Sequence, residues 1–352
     1  MSRRTAVVVC PGRGVYNKAE LGYLGRHAGP HRDFVARADA YRAELGQPTL
    51  SELDGAAAFS GPIHTRGDNA SPLIYACSYV DFLAIDRDRF ELVAVTGNSM
   101  GWYTALACAG ALSPEHGLAV VNTMGGHMHH DGVGGQAIYA LVDEDWRAIP
   151  GRRGGLLGLI AELHAPPQRH IYVSIDLGGM LVVAGDEAGL AAFQARAPAG
   201  PGRFPVTLQN HAAFHTPLLQ PISQMALATL PRDWFEPPRL PMVDGRGAVW
   251  RPHATDLSEL FDYTFGHQVV EPYDFTAAVR VSVREFAPDV LIVLGPGDTL
   301  GGAVAQSLIA AGWRGLDGKS AFQAAQAADP PLLAMGRADQ RAPVVGGAAA
   351  PA

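Results

Sequence analysis

The stretch ELVAVTGNSMGWYTALACAGAL at residues 91–112 sets an apolar run, a Gly-x-Ser-x-Gly turn and a small-residue helix in immediate succession. An apolar run between turn signals reads as a strand buried on both faces, as in a parallel sheet. Turning sharply from such a strand into a helix requires glycines where the two cross, here Gly97 and Gly101. The serine between them then projects from the sheet edge at a helix N-terminus. The chain is therefore expected to be an α/β protein. Ser99 is either a nucleophile or only the polar residue of a tight turn, and its partners elsewhere must decide.

The same alternation continues on both sides. TAVVVC at 5–10 reads as a first buried strand ending in the loop PGRG. Residues 71–85 have helical spacing, with Ser71 as N-cap and Pro72 in the first turn. After the strand at 92–95 the elbow helix is expected to run through Ala111, and Ser113 with Pro114 starts another helix. PDVLIVLGPGDTLGGAVAQSL repeats the strand, glycine turn and helix near the far end. Between these parts, GGHMHHDGVGG at 125–135 reads as a hinge. Beyond it, short apolar runs alternate with the helical segments GLLGLIAEL and DEAGLAAFQARA.

The expected organisation is a large α/β lobe from 1–127 and 209–328, interrupted by a small α+β subdomain at 128–208. The Ala/Pro/Gly-rich end, 329–352, reads as a disordered tail. A chain of 352 residues also exceeds the size at which one core is the default. No apolar run approaches the roughly 20 residues needed to span a bilayer. Cys10-Pro11-Gly12 interrupts the first apolar run too early for a signal peptide. A cytoplasmic protein without a membrane partner is expected. A net charge of −7 argues against a general nucleic-acid binder, which needs a cationic footprint. Cys10, Cys77 and Cys108 are widely spaced in apolar surroundings and read as buried thiols. His127, His129 and His130 beside Asp131 lack the HExxH pattern, so no metal is expected.

A serine hydroxyl needs a base. QNHAAFHTPLLQPISQM at 209–225 sets His215 at the head of a helix containing Pro217, with Leu218, Leu219 and Ile222 as its buried stripe. Taken alone, His215 reads equally as a histidine capping a helix.

Together, in order, VVVCPGRG, GNSMGWYTALACAGALS, AAFHTPLLQP and VLIVLGPGDTLGG resemble the malonyl-CoA:acyl-carrier-protein transacylases and the acyltransferase domains of polyketide synthases. The resemblance covers residues 5 to 315. It implies a hydrolase-like large lobe with a mostly parallel sheet flanked by helices, and an inserted ferredoxin-like α+β subdomain. It implies that Ser99 takes the acyl group, with His215 as general base and the backbone N–H groups of Met100 and Arg13 as oxyanion hole. EPYDF resembles the segment that orients the histidine, which gives Asp274 that place through its carbonyl or carboxylate. The implied substrates are acyl-CoA and an acyl carrier protein bearing phosphopantetheine, with no tightly bound cofactor.

The chain departs from the family at the position of its carboxylate-binding arginine, where VVNTMGGHM has Met124. An apolar methionine cannot pair with a carboxylate, which points to a less polar acyl group than malonyl. Arg13, in place of the loop glutamine, could return a cation from the other side, as could His127 or His129. Asn98 and Trp102 replace the histidine and glutamate usual around the elbow and would alter the pocket wall. An acyl-thioester hydrolase of the same fold is the alternative reading, and a non-catalytic relative that docks the carrier is a third. An ordinary α/β-hydrolase esterase or a patatin-like lipase would want a different glycine-rich oxyanion loop. Because carrier proteins are acidic, Arg147, Arg152, Arg153 and Arg203 are candidates for docking.

Overall fold

The computed structural model describes residues 3–200 and 204–345. Its larger sheet has six strands in the order β11 (Leu332–Ala334), β10 (Val290–Val293), β1 (Arg4–Cys10), β2 (Phe90–Gly97), β7 (Met242–Val243) and β8 (Val249–Trp250). Every pairing is parallel except that of β7 with β8. The central β1 buries Ala6 through Cys10 completely, as a strand covered by helices on both faces must. Its C-terminal end leads into the Pro11–Gly14 loop beside the end of β2, the edge where open parallel sheets hold their ligands.

The smaller sheet runs β6 (Val206–Leu208), β3 (Gly135–Ala140), β5 (Met180–Gly185), β4 (Ile171–Leu177) and β9 (Tyr273–Asp274). With helices Arg152–Leu163 and Glu187–Arg196, its first four strands follow the chain order β3, helix, β4, β5, helix, β6. That is the ferredoxin-like pattern expected of the insert. It has its own core of Tyr139, Leu156, Leu181, Val183 and Phe193. The fifth strand, β9, comes from the large-lobe part of the chain and pairs parallel with β4.

Several local expectations need correction. The helix expected at 71–85 begins earlier, at Gly67, so Ser71 and Pro72 lie inside Gly67–Ala84. Pro72 has no N–H for the carbonyl one turn back, that of Asp68. Arg42, itself fully buried, donates to that oxygen at 2.8 Å, and the helix tolerates the proline. The elbow helix ends at Cys108, short of Ala111. Ser113 caps Pro114–His130 as expected, accepting from the His116 amide at 3.0 Å. That helix runs on through His130, so the expected hinge is largely helical. Residues 332–345 are not a disordered tail, because β11 extends the sheet and Ala338–Val345 is a helix. Arg341 in this helix pairs with the buried Asp81 carboxylate at 2.5 Å. Residues 346–352 of the expected tail lie outside the described residues.

Candidate active site

The elbow follows from close packing of backbone. A side chain on Gly97 would collide with the Gly101 carbonyl, and one on Gly101 with the carbonyl of Cys10. Strand β2 can therefore pass directly into the helix Gly101–Cys108 against the end of β1. Ser99 sits between them at φ 55°, a left-handed conformation uncommon for a residue with a Cβ. Backbone bonds from Gly101 to Asn98 at 2.8 Å and from Trp102 to Ser99 at 2.9 Å fix the turn. The Asn98 amide donates to Cys10 at 3.0 Å and ties it to β1.

His215 approaches from the other side. Its Nε2 lies 2.7 Å from Ser99 Oγ, and its Nδ1 lies 2.6 Å from the carbonyl oxygen of Gln268. A carbonyl only accepts, so Nδ1 carries the proton and Nε2 turns its lone pair to the serine hydroxyl. Burial lowers the His215 pKa to about 4 against the opposing Gln268 bond, which keeps the imidazole neutral at ordinary pH. His215 is also left-handed, at φ 58°. Strain at both members of a touching pair is a mark of functional sites.

Small-lobe side chains hold the segment that carries this histidine. Ser174 Oγ donates to the Phe214 carbonyl at 2.8 Å, and His211 Nδ1 donates to Gln136 Oε1 at 2.7 Å. Gln268 follows a π-helical turn, Tyr263–His267, and belongs to the last helical residues before Glu271. Its carbonyl is one of those a helix end leaves without a partner, and the imidazole takes it. The Gln268 side chain also donates to the Ser99 carbonyl at 3.1 Å and accepts from the Tyr103 hydroxyl at 3.2 Å.

Thus the structure brings Ser99 and His215 together and gives Gln268 the place expected for Asp274. The Asp274 carboxylate instead caps the helix Phe275–Phe286, accepting from Ala277 N–H at 2.7 Å. Sequence reasoning missed Gln268, although it stands just before the EPYDF segment. Its neighbour Tyr273 packs 5.3 Å from the His215 ring and donates to the Gly97 carbonyl at 2.6 Å. Met100 and Arg13 both border the site, and neither N–H donates to another backbone group among the described residues.

A cleft of about 440 Å³, counting its mouth, opens above the pair. Tyr103, Val121, Met124, Met128, Phe214 and Val269 give it apolar walls. Met124 lines it too, only 2% exposed. Trp102 does not: it is fully buried against Tyr263, its indole N–H donating to Thr264 Oγ1 at 3.0 Å. Asn98 is turned toward Gly12 rather than into the cleft. His127 and His129 do not line it either, and His127 pairs with Asp131 at 3.1 Å. Among the described residues no group of three or more His, Cys, Asp or Glu side chains forms a metal-holding cluster. No described helix is long and apolar enough to cross a membrane. All three cysteines are free and buried. Arg147 and Arg153 border a separate depression beside Arg280, and Arg153 pairs with Asp176 at 2.5 Å. Arg152 lies 5.9 Å over Tyr139, and Arg203 lies outside the described residues.

Comparison with known proteins meets the same fold. A malonyl-CoA:acyl carrier protein transacylase from Xanthomonas oryzae pv. oryzae superposes with a TM-score of 0.73 at 20% identity, covering 97% of this chain and 98% of that one. An acyl-carrier-protein S-malonyltransferase from Burkholderia pseudomallei gives 0.67 at 24% identity, covering 86% and 93%. In sequence, 241 residues are 25% identical to a phenolphthiocerol/phthiocerol polyketide synthase component of Mycobacterium tuberculosis, covering 68% of this chain. The match spans 15% of that much longer relative. No family model matches the chain. The resemblance carried by the sequence motifs thus extends to the whole fold.

Proposed function

We propose that this chain is an acyltransferase that moves an acyl group from coenzyme A to an acyl carrier protein through an acyl ester on Ser99. The observation that carries this reading is the hydrogen-bonded chain from Ser99 Oγ through the neutral His215 imidazole to the Gln268 carbonyl, set under an apolar cleft. As Oγ attacks the thioester carbonyl, its proton passes to Nε2. The imidazolium keeps its Nδ1–H on the Gln268 oxygen. The C–S bond then breaks, and the departing CoA thiolate takes the proton from Nε2. The phosphopantetheine thiol of the carrier reverses these steps and leaves with the acyl group. The N–H groups of Met100, at the head of the elbow helix, and of Arg13 would receive the developing oxyanion. The acyl group is malonyl or, because Met124 gives its wall no charge, a less polar unit.

The test is intact-protein mass spectrometry after brief mixing with malonyl-, acetyl- and longer acyl-CoA, followed by addition of carrier protein. An acyl adduct absent from Ser99→Ala and discharged to the carrier thiol is expected. An adduct lost to water at the same rate with or without carrier would make the protein a thioester hydrolase. No adduct from any donor would overturn the proposal.

A further inference from the structure

The cleft holds a charge that the fold leaves without a counter-charge. Arg13 lines it from the loop after β1, with its guanidinium 5.7 Å from the Phe214 ring. Nη2 donates to the carbonyls of Thr65 at 2.8 Å and Asn210 at 3.0 Å. Nε is buried with no acceptor. No carboxylate pairs with Arg13 among the described residues. Asp68, the acid that acts on it through space, is engaged by Arg66 at 2.6 Å and lies 3.8 Å from His130. Burial lowers the Arg13 pKa to about 10, opposed by Asp68, so the guanidinium stays protonated at neutral pH. Two neutral carbonyls satisfy hydrogens without balancing the charge, and a desolvated unpaired cation is unfavourable.

Its position adds the second point. A Cβ on Gly67 would come within 2.6 Å of the Gly125 carbonyl, 3.2 Å of His129 Cβ and 3.5 Å of Arg13 Nη1. Gly67 thus stands between the Arg13 guanidinium and the helical turn that begins immediately after Met124, and Arg13, Met124 and Gly125 all line the cleft. Where the helix offers the cleft only methionine, a cation enters the same cleft from another segment.

We propose that Arg13 is the specificity-determining residue of the cleft and that the acyl groups taken up end in a carboxylate, which pairs with its guanidinium. This rests on the acyl-transfer reading above and selects among its acyl groups. The carboxylate supplies the missing counter-charge through charge-assisted N–H bonds. The apolar walls from Tyr103, Val121, Met124 and Met128 enclose the carbon chain between carboxylate and thioester.

The experiment compares initial rates of Ser99 acylation by malonyl-CoA, its uncharged methyl ester and butyryl-CoA, in wild type, Arg13→Gln and Arg13→Lys. Wild type is expected to favour malonyl-CoA over both uncharged donors by about tenfold or more. Arg13→Gln is expected to lose that preference and Arg13→Lys to keep part of it. A wild type that takes the methyl ester or butyryl group as fast as malonyl overturns the inference, whatever the stability of the variants. So does an Arg13→Gln protein that melts at the wild-type temperature with its preference intact. In both cases Ser99 is still acylated and the acyl-transfer reading survives. Absence of any Ser99 adduct would instead remove that reading, and this inference with it.

Discussion

The two sides of the candidate active site are built in opposite ways. The proposed nucleophile rests on one continuous piece of chain, in which strand, turn and helix from Phe90 to Cys108 set the Ser99 backbone by local contacts. The proposed base rests on fragments: His215 lies on an irregular segment held by Ser174 and Gln136 of the small lobe and by a carbonyl beyond a π turn. A local site can be read from spacing. A site assembled from distant pieces depends on which carbonyl the fold brings within reach.

If the two sides act as one unit, removing either should be nearly equivalent. His215→Ala is expected to slow acyl transfer from CoA to the carrier on the order of 10⁴-fold or more, close to the loss in Ser99→Ala. A loss below about a hundredfold would mean that Ser99 has another base.

The next largest effect should fall on the continuous side. In Gly101→Ala the new methyl would press on the backbone of Cys10 and also approach the Pro11 carbonyl to 2.9 Å, neither of which can rotate away. Destabilisation of about 3 kcal/mol is expected, read as a lower melting temperature together with impaired acylation. A variant of native stability would show that strand and helix can separate without harm.

The fragmentary side is tested by Gln268→Ala and Asp274→Ala. The first keeps the backbone carbonyl for His215 but loses the amide bond to the Ser99 carbonyl, for an expected fall in acylation of about tenfold. The second loses only a helix cap, about 1 kcal/mol of stability, with acylation unchanged. Equal losses of activity would return Asp274 to the role the sequence suggested.

The smallest effect near neutrality is that of pH. An unfolded histidine protonates near 6.5, whereas His215 resists protonation down to about 4 because it is buried. Acylation should therefore stay level as pH falls from 8 toward 5 and decline with a midpoint near 4. Stability should fall over the same descent, because the unfolded chain binds the proton first. Burial lowers His211 further, to about 3, and adds to that fall. An acylation midpoint near 6.5 would mean that the working imidazole is solvated.

These contrasts also explain which parts were legible in the sequence. β1, the elbow and the Ser113 cap depend on residues adjacent in the chain, and their signals were sufficient. The start of the helix at Gly67 was not, because the proline inside it is tolerated through Arg42, far away in sequence. β11 looked like tail until paired with β10 and followed by the helix whose Arg341 reaches Asp81. Gln268 escaped notice because its contact with His215 is made by a backbone oxygen, which every residue type possesses. Trp102 stands one position past the glycine of the elbow, yet the helix turns its ring toward Tyr263 and away from the cleft.

The fifth strand of the small sheet bears on how such proteins can be recombined. The small lobe looks like a cassette with one way in and one way out, but its sheet is completed by Tyr273–Asp274, borrowed from the host lobe. Through Tyr273 that borrowed strand also reaches the end of β2 and the ring of His215. Exchanging the lobe between relatives at its two chain crossings alone would leave the newcomer docked against a foreign edge. A workable chimera would have to transplant that distant dipeptide as well, so the heritable unit is larger than the visible module.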